Sequence, residues 1–303
     1  MAPVAIVPDG LTGARADVGV ARLFGLTRSQ VEQVAVNGGL RLDGMAVAKS
    51  ERLRGGAMVE IDIDEPRSVE VRPQLVADMA IVHDDADLVV VDKPPGVAAH
   101  PSLGWDGPSV VEHLAAAGFE VCASGVAERK GIVSRLDVGT SGLMVVAKSE
   151  LAYSELKAAF RDRLVHKVYH GLVQGYPEPE AGTIDIPIAH ARTDEWKMAV
   201  DPSGRPAVTH YSRLETVFKA TLLRIVLETG RTHQIRVHMA AIRHPCVADL
   251  LYGADPTLAS QLGLTRQWLH AAELGFTHPR SGQQMSFTAG YPPDLAHSLE
   301  ALR

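Results

Sequence analysis

Apolar positions at the start of the chain recur at helical spacing in two short bursts. Val18, Val20, Ala21, Leu23 and Phe24 form the first, and Val31, Val34 and Val36 the second. Two short helices are therefore expected, the second capped by Thr27 or Ser29 and ended by Asn37-Gly38-Gly39. Residues 40–42 then read as a strand, Asp43-Gly44 as a tight turn and the alternating run 57–63 as a further strand. From 64 to 76 the apolar period lapses around Pro66 and Pro73, as it does in linkers. Beyond that, strand-like runs at 88–91, 143–147, 168–173 and 222–228 alternate with helical runs at 109–117, 150–163 and 232–243. There is no internal repeat and no regular βαβ succession, which predicts an α+β domain around a mixed, largely antiparallel sheet. The expected division is a small domain over 1–64, a linker over 65–76 and a large domain over 77–303.

Composition narrows the class. A hydrophobic share of 46% with 22% charged residues in 303 residues supports a sizeable core. No apolar run approaches the roughly 20 residues of a membrane span, and the opening residues lack the basic start and apolar centre of a signal peptide, so a cytoplasmic protein is expected. Cys122 and Cys246 have no metal or redox spacing and read as small packing residues. A formal charge of −6 argues at first against a nucleic-acid partner. The distribution points the other way: residues 15–54 carry seven bases against four acids, and residues 205–244 seven against two. Such clusters are often solvated faces, and motifs must decide between the two readings.

Three blocks carry candidate chemistry. Ser134-Arg135-Leu136-Asp137-Val138-Gly139-Thr140-Ser141-Gly142-Leu143 sets one carboxylate among turn-forming and hydroxyl residues before an apolar strand. Asp137 can tighten that turn or present a reactive carboxylate at a cleft. Upstream, residues 87–96 read as a strand broken by Pro94-Pro95-Gly96. Downstream, Thr229-Gly230-Arg231-Thr232-His233-Gln234-Ile235-Arg236-Val237-His238 reads as a strand end, a turn and a helix start, where free backbone N–H groups favour anions. Strand alternation puts Lys167, Tyr169 and Gly171 on one face. His233, His238 and His244 lack the one-face spacing of a helical metal site, and the glycine-rich turns lack nucleotide fingerprints, so neither metal nor cofactor is expected.

In order and content these blocks resemble the RluA/RluD-type pseudouridine synthases, the ribosomal large-subunit RNA pseudouridine synthases. The resemblance implies a curved sheet with a cleft along one face and isomerisation of uridine to pseudouridine in structured RNA, large-subunit ribosomal RNA being the preferred target. It implies that Asp137 is the reactive carboxylate, as nucleophile or as base. It further implies that Arg231 pairs with Asp137, that Tyr169 lies against the target uracil, and that Arg135 enters the stack vacated by the flipped base. Ser134 stands where the family usually has His, and the block after His244-Pro245 also departs from the usual pattern. The first segment resembles the α-L ("S-four" type) RNA-binding domain, which implies RNA contacts from Arg28, Arg41, Lys49, Arg52 and Arg54, with Arg236 contributing from the large domain. A monomer is expected. The alternative from another class is a non-catalytic RNA-binding or ribosome-assembly factor that keeps the fold. An unrelated Asp-nucleophile hydrolase would need a water-positioning base or metal that no motif supplies.

Overall fold

The computed structural model describes residues 3–24, 26, 28–62, 71–102, 105–122, 130–191 and 194–303, with the side chains of Ser29 and residues 194–196 left out. The chain divides into two compact units, Met1–Ser68 and Val69–Arg303. Residues 63–70, which include part of the expected linker, lie outside the described residues.

The first unit is built from β1 (Val4–Ile6), α1 (Ala16–Phe24), α2 (Arg28–Val36), β2 (Leu40–Leu42), β3 (Met45–Ala46) and β4 (Met58–Ile61), with sheet order β1-β4-β2-β3. The apolar bursts read from sequence supply its core. Val20 and Ala21 of α1 and Val31 of α2 pack with Leu40, Leu42, Val59 and Ile61. Asp43 and Gly44 both take positive φ, 49° and 80°, as a two-residue hairpin turn requires. Of the two expected caps, Thr27 lies outside the described residues and Ser29 falls inside α2.

The second unit runs β5 (Ala80–Asp84), β6 (Leu88–Lys93), α3 (Val110–Ala116), β7 (Ser141–Ala147), α4 (Glu150–Arg161), β8 (His166–Gln174), β9 (Ala181–Asp185), β10 (Ile188–Ala191), β11 (Asp194–Val200), β12 (Val208–Val217), β13 (Ala220–Leu227), α5 (Gln234–Ala241), α6 (Pro256–Gln261), β14 (Leu269–Thr277), β15 (Gln284–Thr288) and α7 (Pro293–Glu300). Nine strands form one sheet in the order β5-β6-β7-β14-β8-β13-β12-β9, with β15 also on β14. Every pairing is antiparallel except that of β7 with β14, so the sheet is mixed and largely antiparallel. The helical runs end earlier than their apolar pattern. Arg163, His233 and Arg243 have φ of 62°, 55° and 66°, and a left-handed residue interrupts the helical ladder on either side of α5 and beyond α4.

Period-two alternation puts both faces of the sheet to use. Leu88 and Val90 of β6 face Ala152 and Leu156 of α4, while Val89 and Val91 face Val110 and Leu114 of α3. Further along, Leu223 and Ile225 pack with Ile235 and Met239 of α5, whereas Leu222 joins Trp268, Leu295 and Leu299. Trp268 is fully buried, and its indole N–H donates to Leu295 O at 3.1 Å and to Ser298 Oγ at 3.0 Å, fixing α7 to the start of β14. Cys122 and Cys246 are both buried and neither forms a disulfide. Among the described residues no helix is long and apolar enough to cross a membrane.

The parallel pairing of β7 with β14 is where the fold sets the position of the Asp137 turn. Gly142 has φ of 114°, and a Cβ there would lie 2.3 Å from Ala271 O and 2.6 Å from Ala271 N. Backbone strain and a steric clash with a neighbouring strand would add. Gly142→Ala should therefore lower unfolding stability by about 2–5 kcal/mol, read from urea titration.

Candidate active site

A turn presents Asp137, and buried groups on several sides fix that turn. Thr140 N–H donates to Asp137 O at 3.0 Å, closing it, and Gly96 N–H donates to Val138 O at 2.9 Å. Lys93, which follows Asp92 at the end of β6, is fully buried. Its ammonium donates to Val97 O at 2.8 Å, Pro94 O at 3.0 Å and Val138 O at 3.3 Å. Burial pulls the Lys93 pKa down to about 7 against the raising influence of Asp137. From the opposite side, Arg266 donates to Gly139 O at 3.0 Å while paired with Asp294 at 2.7 Å. The side-chain amide of Gln267 donates to Thr140 Oγ1 at 3.1 Å.

The cation on Asp137 is Arg236. Its Nη1 lies 3.3 Å from Asp137 Oδ2, while its Nε and Nη2 hold Asp249 in a two-bond fork at 2.7 and 2.9 Å. Side-chain exposure is 21% for Asp137, 9% for Arg236 and 1% for Asp249. Burial opposes the Arg236 charge, but the bonds and charge of Asp249, with Asp137 and Tyr252, raise its pKa above the ordinary arginine range. The guanidinium also sits 4.9 Å over the Tyr252 ring. This corrects the expectation for two residues. Arg231 donates through Nε to Pro206 O at 3.0 Å and makes no ion pair with Asp137. Arg236, expected to contact RNA, is instead buried among carboxylates. The reason is register: Arg231 opens the turn before α5, where Gln234 N–H donates to its carbonyl at 3.1 Å, whereas Arg236 lies inside the helix on its buried face.

His233 joins the group. Its Nε2 is 4.0 Å from Asp137 Oδ1, and its Nδ1 meets the Tyr252 hydroxyl at 2.8 Å. That hydroxyl also accepts from Met198 N–H at 3.1 Å, and the direction of its bond to Nδ1 follows the tautomer of the ring. Burial lowers the His233 pKa against the raising influence of Asp137. Tyr169 lines the same cleft from β8, and burial and Asp137 both raise its pKa, keeping the phenol neutral. Arg135 is exposed at the cleft, where its guanidinium bonds the Thr232 hydroxyl.

The cleft has a volume of about 810 Å³. Arg135, Arg231 and Arg236 line it around Asp137, and Lys157, Arg161, Arg163 and Lys167 line it further along; Asp137 and Glu228 are the carboxylates on its wall. The residues expected to bind RNA in the first unit are in different states. Arg28 pairs with Asp17 at 2.9 Å, Lys49 pairs with Glu32, and Arg52 donates to Gly13 O at 2.9 Å. Arg41 is half-buried and Arg54 exposed. Elsewhere, Asp85, Asp87 and His278 lie close enough together to hold a cation. Arg280, however, already closes both Asp87 oxygens at 2.6 Å, and the charge there is balanced within the protein.

Three of these groups were not singled out from sequence as parts of the site: Lys93, His233 and Asp249. A lysine at the end of the apolar run 88–91, after Asp92, and an aspartate in an apolar stretch were the available signals. Two stability outcomes follow from their burial. Arg236→Met leaves Asp249 and Asp137 without their cation and should cost about 3–5 kcal/mol in urea titration. For Lys93, the folded pKa lies below the ordinary value of 10.5, so above about pH 7 the unfolded chain binds more protons than the folded one, and stability rises with pH toward the unfolded value. Lys93→Met should abolish that rise in the urea midpoint.

Residues 87–241 match the RNA pseudouridylate synthase family. An uncharacterized RNA pseudouridine synthase of Mycobacterium bovis is 54% identical over 298 residues, covering 98% of this chain and 97% of its own length. Ribosomal large subunit pseudouridine synthase D of Xanthomonas campestris pv. campestris is 39% identical, with 99% of this chain and 92% of that protein covered. The structure of human RNA pseudouridylate synthase domain containing 4 superposes with a TM-score of 0.59 at 27% identity, over 74% of this chain and 92% of that one. With half of the chain matching the family and its relatives aligned end to end, this protein belongs to the RluA/RluD-type RNA pseudouridine synthases, which isomerise uridine in RNA.

Proposed function

We propose that Asp137 is the reactive carboxylate of this synthase and that large-subunit ribosomal RNA is its substrate. The observation that carries the reading is the setting of Asp137: a partly exposed carboxylate, bound by a buried arginine, in a cation-lined cleft of a chain whose formal charge is −6. The reaction breaks the bond between ribose C1′ and uracil N1, turns the base and joins C1′ to C5, which then loses its proton. An ionised carboxylate starts it by adding to the sugar or by removing a sugar proton, and Arg236, 3.3 Å from Asp137 Oδ2, holds that carboxylate in place in either case. The target must leave its stack, at an unstacking cost of a few kcal/mol. The flat face of Tyr169 offers the extruded uracil a stacking surface and its neutral hydroxyl a proton donor. Arg135, exposed at the cleft, fills the vacated stack. The ribosomal assignment rests on relatives named as large-subunit synthases.

The first unit acts in this reading as an α-L RNA-binding domain, with Arg41 on β2 of the hairpin and Arg52 and Arg54 on the segment between β3 and β4. The intramolecular pairs of Arg28 with Asp17 and of Lys49 with Glu32 make those two the weaker contributors. In this reading the protein is a cytoplasmic monomer, and the isomerisation, being redox-neutral, calls for no redox cofactor.

In cells lacking the gene, mapping of pseudouridine in large-subunit ribosomal RNA should show the loss of one or more sites. The wild-type chain should restore them and Asp137→Asn should not; restoration by Asp137→Asn would favour a binding factor. Turnover should separate the two arginines. Arg236→Lys cannot span both carboxylates and should lose on the order of a hundredfold through misplacement of Asp137, while Arg231→Lys should lose less than about tenfold.

A further inference from the structure

Lys167 carries a charge that no carboxylate among the described residues neutralises. It is half-buried on the same face of β8 as Tyr169 and lines the same cleft. Its ammonium lies 5.9 Å from the centroid of the Phe160 ring, a contact that orients the stem without balancing the charge. The charged neighbour that acts on it is Arg163, another cation, and burial together with Arg163 lowers its pKa. A desolvated ammonium without a counter-ion is unfavourable unless a ligand supplies the anion.

Arg163 points the same way. It occupies the left-handed position of the motif that ends α4, where Leu164 N–H donates to Ala159 O at 2.9 Å and Arg163 N–H to Phe160 O at 3.4 Å. Glycine is favoured at that position, and a long cationic side chain is held there at the expense of backbone strain. Its partner Glu228, at 2.9 Å, is shared with His210 at 2.7 Å. One carboxylate thus serves Arg163 and His210, and Lys167 has none.

We propose that Lys167 and Arg163 form a phosphate seat for the RNA strand next to the extruded nucleotide. This rests on the reading of the Asp137 cleft as the uridine site. A phosphodiester offers one negative charge and two acceptor oxygens, matching a point-charge ammonium beside a planar guanidinium. Uracil and ribose are neutral and cannot balance the Lys167 charge. The seat lies on the cleft wall away from Asp137 chemistry, so it holds the strand and leaves the reacting bond to other groups.

The test uses the full chain and a large-subunit ribosomal RNA transcript. Binding is measured by filter retention over a series of KCl concentrations in the Asp137→Asn background, with and without Lys167→Met, which keeps the apolar stem over Phe160. The seat predicts an affinity loss of about tenfold for Lys167→Met. It also predicts a salt dependence of log K shallower by about 0.7–0.9, the contribution of one phosphate. Lys167→Arg should keep the wild-type slope, and in the Asp137 chain Lys167→Met should raise KM with kcat held within a few-fold. An unchanged slope, or a loss confined to kcat, overturns the seat. Should Lys167→Met fail to fold, Arg163→Gln supplies the same readout. A wild type that forms no pseudouridine would sink the uridine-site reading by itself, and the slope would still decide the seat.

Discussion

One buried guanidinium holds the candidate site together. Arg236 must satisfy Asp249, nearly sealed from water, and still reach Asp137, which faces the cleft. A carboxylate pair this close would repel if unshared; one arginine fork between them converts the repulsion into a fixed geometry. Because Asp249 takes Nε and Nη2, Nη1 is the nitrogen left to reach Asp137. Tyr252 reinforces the arrangement twice, with its ring under the guanidinium and its hydroxyl on His233, which in turn faces the other Asp137 oxygen. The Asp137 backbone is held independently, by Lys93 and Gly96 on one side and Arg266 on the other. Side chain and turn are thus oriented by different elements, the condition for a reacting group to keep its position when a substrate arrives.

Much of this was legible from local pattern. The strands around the site show period-two alternation over apolar residues, and the two-residue Asp43-Gly44 turn has few conformations open to it. Asp137 stood out because its neighbours are turn-formers and because the run 143–147 that follows is apolar. The arginine pairing was not legible in the same way. Arg231 and Arg236 are five residues apart, and choosing between them needs the start of α5, which His233 fixes by adopting a left-handed conformation that is uncommon outside glycine. Asp249 lies thirteen residues beyond Arg236, and only tertiary folding brings them together. Lys93 reads as the polar end of a strand until the loop carrying Val138 folds over it and its ammonium caps three carbonyls.

Charge placement explains how a chain of net −6 can take a polyanion. Acidic residues such as Asp17, Asp87 and Asp294 are closed by arginines within the protein, while the cleft wall retains an excess of arginine and lysine over Asp137 and Glu228. Local field and desolvation act on the approaching phosphates over a Debye length of about 10 Å, so the cleft rather than the sum governs recognition. Within the cleft, the groups around Asp137 suit bond chemistry, and the cations near α4 suit the strand that delivers the base.

The most direct measurement is release of tritium from uridine labelled at C5, in a large-subunit ribosomal RNA transcript, by the wild type and by Asp137→Asn. Joining C1′ to C5 must expel the C5 hydrogen, so release reports completion of the isomerisation itself. The account predicts release by the wild type and none by Asp137→Asn despite retained RNA binding. Equal release by both proteins would contradict the assignment of Asp137 as the reacting group.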